Sequence, residues 1–178
     1  MPIPIENYNP QNLAPSMRRQ AWLVWGGALF FALLWVGAIV LAPAARAGGW
    51  ESVAEPFYRF FGFICHQIPS RSLSFDEHRL AVCSRCFGVY FGLFAGFAVY
   101  PLFRRIDAIE PLPRFWLLLA MIPISVDWTL GVFGIWENTH LSRFLTGAIL
   151  GIACAVFIAP ALVEIFRILS RKKRVRRP

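Results

Sequence analysis

Four long apolar runs dominate the sequence, at 21–41, 81–103, 115–136 and 144–169. Each has about the 20 residues that, at a helical rise of 1.5 Å, cross the roughly 30 Å hydrocarbon core of a bilayer. Lipid offers no partner for a free peptide group, so a run at that depth must be helical and bonded internally. Composition agrees: the chain is 57% hydrophobic and 16% charged over 178 residues, whereas a soluble domain is roughly a quarter charged. Trp22, Trp25, Trp35, Trp50, Trp116 and Trp136 fall mostly near run ends, as interfacial belts require. The sequence therefore predicts an all-α integral membrane protein, a single membrane domain over 21–169 built as a bundle of four transmembrane helices. A soluble globular domain and a disordered chain are both excluded.

The net charge of +8 would suit nucleic acid if the basic residues shared a surface, but topology partitions them instead. Arg18 and Arg19 precede the first run, Arg104, Arg105 and Arg114 follow the second, and seven more lie from Arg167 to Arg177, making twelve of eighteen on one side. Arg46, Arg59, Arg71, Arg79 and Arg143 lie on the other, and Arg85 sits at the boundary. The positive-inside rule then predicts a multi-pass protein of the inner (cytoplasmic) membrane. Both termini (1–20 and the basic tail 170–178) are cytoplasmic, and the loop 42–80 is outside. The tail residues Arg171, Lys172, Lys173, Arg174, Arg176 and Arg177 are expected to meet anionic lipid headgroups, and no nucleic-acid partner is expected. Ala45-Arg46-Ala47 looks like a signal-peptidase site, yet the preceding run is longer than the 7 to 15 residues or so of a signal core. The run is read as a retained anchor.

The outer loop is more than a tether. Pro56 to Ile64 is strongly aromatic but too short to span, which predicts an interfacial or re-entrant segment. It leads to Cys65-His66-Gln67, then Arg71-Ser72, and Cys83-Ser84-Arg85-Cys86 opens the second run. Soft thiolates and imidazoles at one membrane face are what Zn2+ or Cu+ selects, and a C-x-x-C pair lets two sulfurs bind one ion. Cys65, His66, Cys83 and Cys86 are the expected ligands, with His78 as an alternative to His66. Two other chemistries fit the same residues. A C-x-x-C at a helix N-terminus beside Arg85 should have a lowered thiol pKa and suit redox exchange, and an oxidising compartment favours a structural disulfide from Cys65 to one of the pair. Cys154, deep in the fourth run, reads as a packing residue.

Asp127 lies near the middle of the third run, where a carboxylate must pair, protonate or face water. Asp127, Gly131, Gly134 and Asn138 recur at helical spacing and predict one polar stripe. Gly88, Gly92 and Gly96, and again Gly147, Gly151, Ala155 and Ala159, predict the faces along which two helices approach closely. Arg85 and Arg143 each lie one turn before those glycines, so both cations point into the bundle from its outer end. Arg85 is the expected partner of Asp127.

Cys65-His66-Gln67 with Arg71-Ser72, then Cys83-Ser-Arg85-Cys86-Phe-Gly88-Val-Tyr90-Phe-Gly92, then Asp127, then Arg143-Phe-Leu-Thr146-Gly147 resembles a signature. It belongs to a family of bacterial and archaeal predicted integral membrane proteins of unknown function. The resemblance covers about 57–151 and implies no reaction. It singles out Gln67, Arg71, Tyr90, Thr146, Gly88, Gly92, Gly147 and Gly151 as pocket or structural residues. The expectation is a membrane protein whose outward Cys/His cluster binds zinc above a polar pocket of Arg85, Arg143 and Asp127, the candidate catalytic residues. A membrane thiol-disulfide oxidoreductase working with a quinone is the alternative. A non-catalytic subunit docked to a membrane-protein partner is another. No Walker, Rossmann, G-x-S-x-G or H-E-x-x-H pattern is present, so nucleotide-driven transport and the common hydrolase mechanisms find no support.

Overall fold

The computed structural model describes residues 15–106 and 112–175, with side chains for 18–106 and 112–170. Among the described residues four helices are long and apolar enough to cross a membrane. They are Arg18–Ala47 within α1 (Pro15–Ala47), α3 (Ser84–Phe103), α4 (Phe115–Val132) and His140–Ser170 within α5 (His140–Val175). The fold is thus the all-α membrane bundle that the four apolar runs predict. Leu23, Phe103 and Leu118 are 67%, 81% and 62% exposed on its outer faces. A soluble monomer does not leave so much apolar surface uncovered, and lipid tails cover it at no cost. The residues 1–14 and the tail side chains expected at headgroups lie outside the described residues.

The helix ends differ from the apolar runs because caps set them. The first helix runs on through Pro43 to Ala47, carried by alanines that continue its buried face. The second starts at Ser84 rather than 81, with extended Cys83 at its N-cap. The third stops at Val132 rather than 136. Gly134 adopts a left-handed φ of 65° and the Ile135 amide reaches back to the Leu130 carbonyl at 3.1 Å, a Schellman closure. The fourth starts at His140 rather than 144, where the Thr139 hydroxyl accepts the Ser142 amide at 3.1 Å as an N-cap.

Glycine brings α3 and α5 together. Gly88, Gly92 and Gly96 lie against Phe144, Ala148 and Ile152, and these equal four-residue steps mean that the helices run parallel. A methyl group on Gly88 or Gly92 would overlap the Phe144 or Ala148 carbonyl, and one on Gly147 or Gly151 the Arg85 or Val89 carbonyl. The two N-termini are therefore side by side at one end of the bundle, called here the cysteine end. At the other end Phe97, Tyr100, Ala155, Ala159 and Val163 pack with Ala21 and Ala32 of α1, and the Trp25 indole donates to the Phe97 carbonyl at 2.9 Å. Helix α4 packs mainly on α5 and has no buried residue.

The aromatic segment forms α2 (Glu51–Gly62), beginning five residues before the expected Pro56. It buries Ala54 and Phe61, while Arg46 of α1 pairs with Glu55 at 3.2 Å. Phe61 joins Ile39 and Ala42 of α1 and Leu80, Ala81 and Val82 in a second core that includes Cys65, with Cys83 and Cys86 packed against it. Between them a hairpin, absent from the sequence reading, pairs β1 (Ser74–Phe75) with β2 (His78–Arg79). Its turn residues Asp76 and Glu77 have φ of 48° and 64°, the signature of a type I′ turn.

Candidate functional site

The loop after α2 is built to hold Cys65. The Cys65 amide bonds back to the Phe61 carbonyl at 2.9 Å, which carries the helix's last turn into the site. Gln67 takes a left-handed φ of 48°, and its side-chain amide donates to the Tyr58 carbonyl at 2.7 Å and the Ala81 carbonyl at 2.9 Å. Two strands of loop are thereby clamped to α2 by one residue. Ser72 bonds to the Ile68 carbonyl at 2.9 Å, and the Ser84 hydroxyl donates to the Arg71 carbonyl at the same distance.

Three sulfurs meet there. Cys65, 6% exposed, accepts the Cys83 amide at 3.2 Å. The Cys86 and Cys83 thiols and the Gln67 backbone also lie within hydrogen-bonding reach of it. The Cys86 thiol does most to hold Cys65 in its thiolate form, and its pKa is lowered to about 5. Burial, followed by the neighbouring Cys65, pushes the Cys83 thiol up. The three are unbonded thiols, Cys83 and Cys86 half-buried. Cys154 is separate, half-buried in α5.

Of the expected zinc ligands, Cys65, Cys83 and Cys86 lie together and the histidines lie apart from them. His66 is exposed and His78 sits in β2, lining a separate polar hollow of about 290 Å³ with Arg46, Tyr58 and Arg79. Among the described residues no group of three or more His, Cys, Asp or Glu side chains is placed to hold a metal ion. With Cys65 buried, its neighbour His66 faces outward before the left-handed Gln67 redirects the chain.

One turn below, Arg85 pairs with Asp127, linking α3 to α4 as expected from the cost of a lone acid at that depth. The polar stripe on α4 is corrected. The helix ends at Val132, and Asn138 comes back from the loop to donate to the Asp127 carbonyl and, at 3.0 Å, to its carboxylate. Gly131 leaves room for that amide, since a Cβ there would meet the Asn138 side chain. Arg143, half-buried at the head of α5, has Arg71, Arg85, Asp127 and Cys83 within electrostatic reach. The Thr146 hydroxyl bonds to the Ser142 carbonyl at 2.8 Å, within its own helix. Tyr90 lies one turn past Cys86 against Trp35, with ring centroids 5.7 Å apart. Two groups escaped the sequence reading: Ser84 and His140, whose hydroxyl and Nδ1 are 2.9 Å apart and join the heads of α3 and α5. Only the position of Ser84 inside the C-x-x-C could have signalled it.

The segment carrying these residues, 65–157, matches the model of the predicted membrane protein family DUF2085. The chain belongs to that family. An uncharacterised protein of Methanocaldococcus jannaschii, MJ1492, is 34% identical over 137 residues, covering 74% of this chain and 88% of that one. An uncharacterised protein of Methanothermobacter thermautotrophicus is 38% identical over 96 residues, covering 54% of this chain and 85% of its own. No solved structure matches the chain. The DUF2085 match begins at Cys65 and takes in the three site cysteines, Arg85, Asp127 and Arg143, leaving out α1 and α2.

Proposed function

We propose that this membrane protein is a thiol oxidant whose working disulfide joins Cys65 and Cys86. The observation that carries the reading is the Cys65 sulfur, buried and hydrogen-bonded by both cysteines of the C-x-x-C pair. A sulfur so stabilised as thiolate is a good leaving group, and a stabilised reduced form makes a strong oxidant. A substrate thiolate attacks the half-buried Cys86 sulfur of the disulfide, forming a mixed disulfide and expelling Cys65 as thiolate. A second substrate thiolate displaces Cys86, which takes up a proton, and the substrate leaves as its own disulfide. Regeneration requires an electron acceptor. The Cys65 thiolate and Cys86 thiol together lose two electrons and one proton, and a membrane quinone gains two electrons and two protons, the second from water. Supporting this acceptor class, an open apolar groove of about 590 Å³ lies between α1, α3 and α5, and Trp35 and Tyr90 line it. The reading includes an outward cysteine end and cytoplasmic termini, supported by the partition of basic residues, with the tail on anionic headgroups.

Thiols of the kind Cys65, Cys83 and Cys86 carry are also the ligand type a soft metal selects, which makes zinc or another transition metal the second reading. One experiment separates the two. Purified, fully reduced protein is mixed with a short-chain quinone and its free thiols are counted, alongside its metal content. The redox reading expects loss of two thiols in the wild type and in Cys83→Ser and Cys154→Ser, and none in Cys65→Ser or Cys86→Ser. One bound zinc per chain with all thiols protected would replace it with the metal site.

A further inference from the structure

The heads of α3 and α5 carry more positive charge than the fold needs. The Ser84 hydroxyl ties the Arg71 backbone to the head of α3, Arg85 pairs with Asp127, and Arg143 has Arg71, Arg85 and Asp127 within electrostatic reach. Against these three guanidiniums stand the Asp127 carboxylate and, when reduced, the Cys65 thiolate, so positive charge remains in excess. Glu137, close by in sequence, is exposed and forms no ion pair among the described residues. Like charges are not gathered without cost. The helices add to the excess, since their parallel N-termini meet here through Ser84 and His140 and neither has an acid in its first turn. The Arg85 Nε is buried and lacks a hydrogen-bond partner among the described residues. A buried donor of that kind is costly unless something accepts its proton.

We infer that the arginine cluster at the joined heads of α3 and α5 binds a phosphate-type oxyanion. Arg71, exposed on the loop, and Arg143, half-buried on α5, supply the forked donors suited to such an anion. Arg85, held by Asp127, offers its spare Nε. A phospholipid headgroup and a free phosphate or phosphoester share this chemistry. The inference does not depend on the thiols: it stands whether they carry a disulfide or a metal.

The test uses the full chain in a maltoside detergent, which carries no phosphate. Inorganic phosphate is titrated at constant ionic strength against chloride, and phosphatidylglycerol is titrated separately in mixed micelles, with the thermal midpoint read in each. A saturable rise with inorganic phosphate identifies a soluble oxyanion; a rise with the lipid alone identifies a headgroup. In whichever arm responds, Arg71→Gln and Arg143→Gln should each weaken apparent affinity about tenfold, as expected for a lost charge-assisted hydrogen bond. Arg143→Lys should fall between, and Arg59→Gln, far along α2, should change nothing. If Arg143→Gln does not fold, Arg71→Gln on its exposed loop carries the comparison. No saturable rise in either arm, or an unchanged response in both glutamine variants, overturns the inference.

Discussion

Cys65 differs from Cys83 and Cys86 in what surrounds its sulfur: it collects hydrogen bonds that the other two supply. A group that ionises more easily when folded than its usual 9 gains charge as the pH rises through about 5. The ultraviolet absorbance of thiolate should therefore step up near pH 5 in the wild type, and this step should vanish in Cys65→Ser and move upward in Cys86→Ser. A first step only above pH 8 or so, the range of an ordinary thiol, would contradict it. The Asp127 carboxylate, 9% exposed, makes a second residue-scale prediction with Arg85. Breaking one side of a buried pair costs about 3 to 5 kcal/mol, so Asp127→Asn should lower thermal stability in detergent more than Asp127→Asn combined with Arg85→Gln. Strictly additive losses would argue against the pair. That ion pair was legible in the sequence because a lone acid in a span has few ways to be satisfied. The return of Asn138 was not, because helical spacing suggested a stripe where a Schellman closure at Gly134 in fact ends the helix.

At the scale of elements, the glycine stripes are the most demanding feature of the bundle. Gly92→Leu or Gly151→Leu must push α3 and α5 apart and should destabilise by at least about 2 kcal/mol in detergent unfolding, whereas Gly26→Ala should stay within about 0.5 kcal/mol. The contrast follows from their surroundings. Added atoms at Gly92 and Gly151 meet carbonyl groups of the facing helix, while Gly26 has nothing within 4 Å. Equal effects at all three positions would mean that the helices are not packed along these faces. The stripes were readable because small residues at four-residue spacing have one obvious use in a membrane. The hairpin was not readable, because its left-handed turn is made by Asp76 and Glu77 instead of the Asn-Gly or Asp-Gly that announces a type I′ turn. The ends of α4 and α5 were missed for a related reason: apolar runs measure where lipid is, and caps decide where helices stop.

For the whole molecule, the partition of twelve basic residues against five is the basis of the proposed orientation. Reporter fusions after Pro178 should read cytoplasmic and fusions near Ser70 extracytoplasmic; the reverse would move the thiols into a reducing compartment and remove the setting for a disulfide. The four-helix architecture follows from length and polarity alone, since no other fold satisfies four apolar runs in lipid. The chemistry does not, because Cys65, His66, Cys83 and Cys86 suit a zinc site and a redox pair alike, and the sequence does not show that His66 is exposed while Cys65 is buried beside Cys83 and Cys86. The most direct measurement of the central claim is non-reducing peptide mass spectrometry of the wild-type protein taken from native membranes with its thiols blocked on lysis. The account predicts a population carrying a Cys65–Cys86 disulfide with Cys83 free. A different pairing among the three, or protein that leaves the membrane with every thiol reduced around one bound zinc, would contradict it.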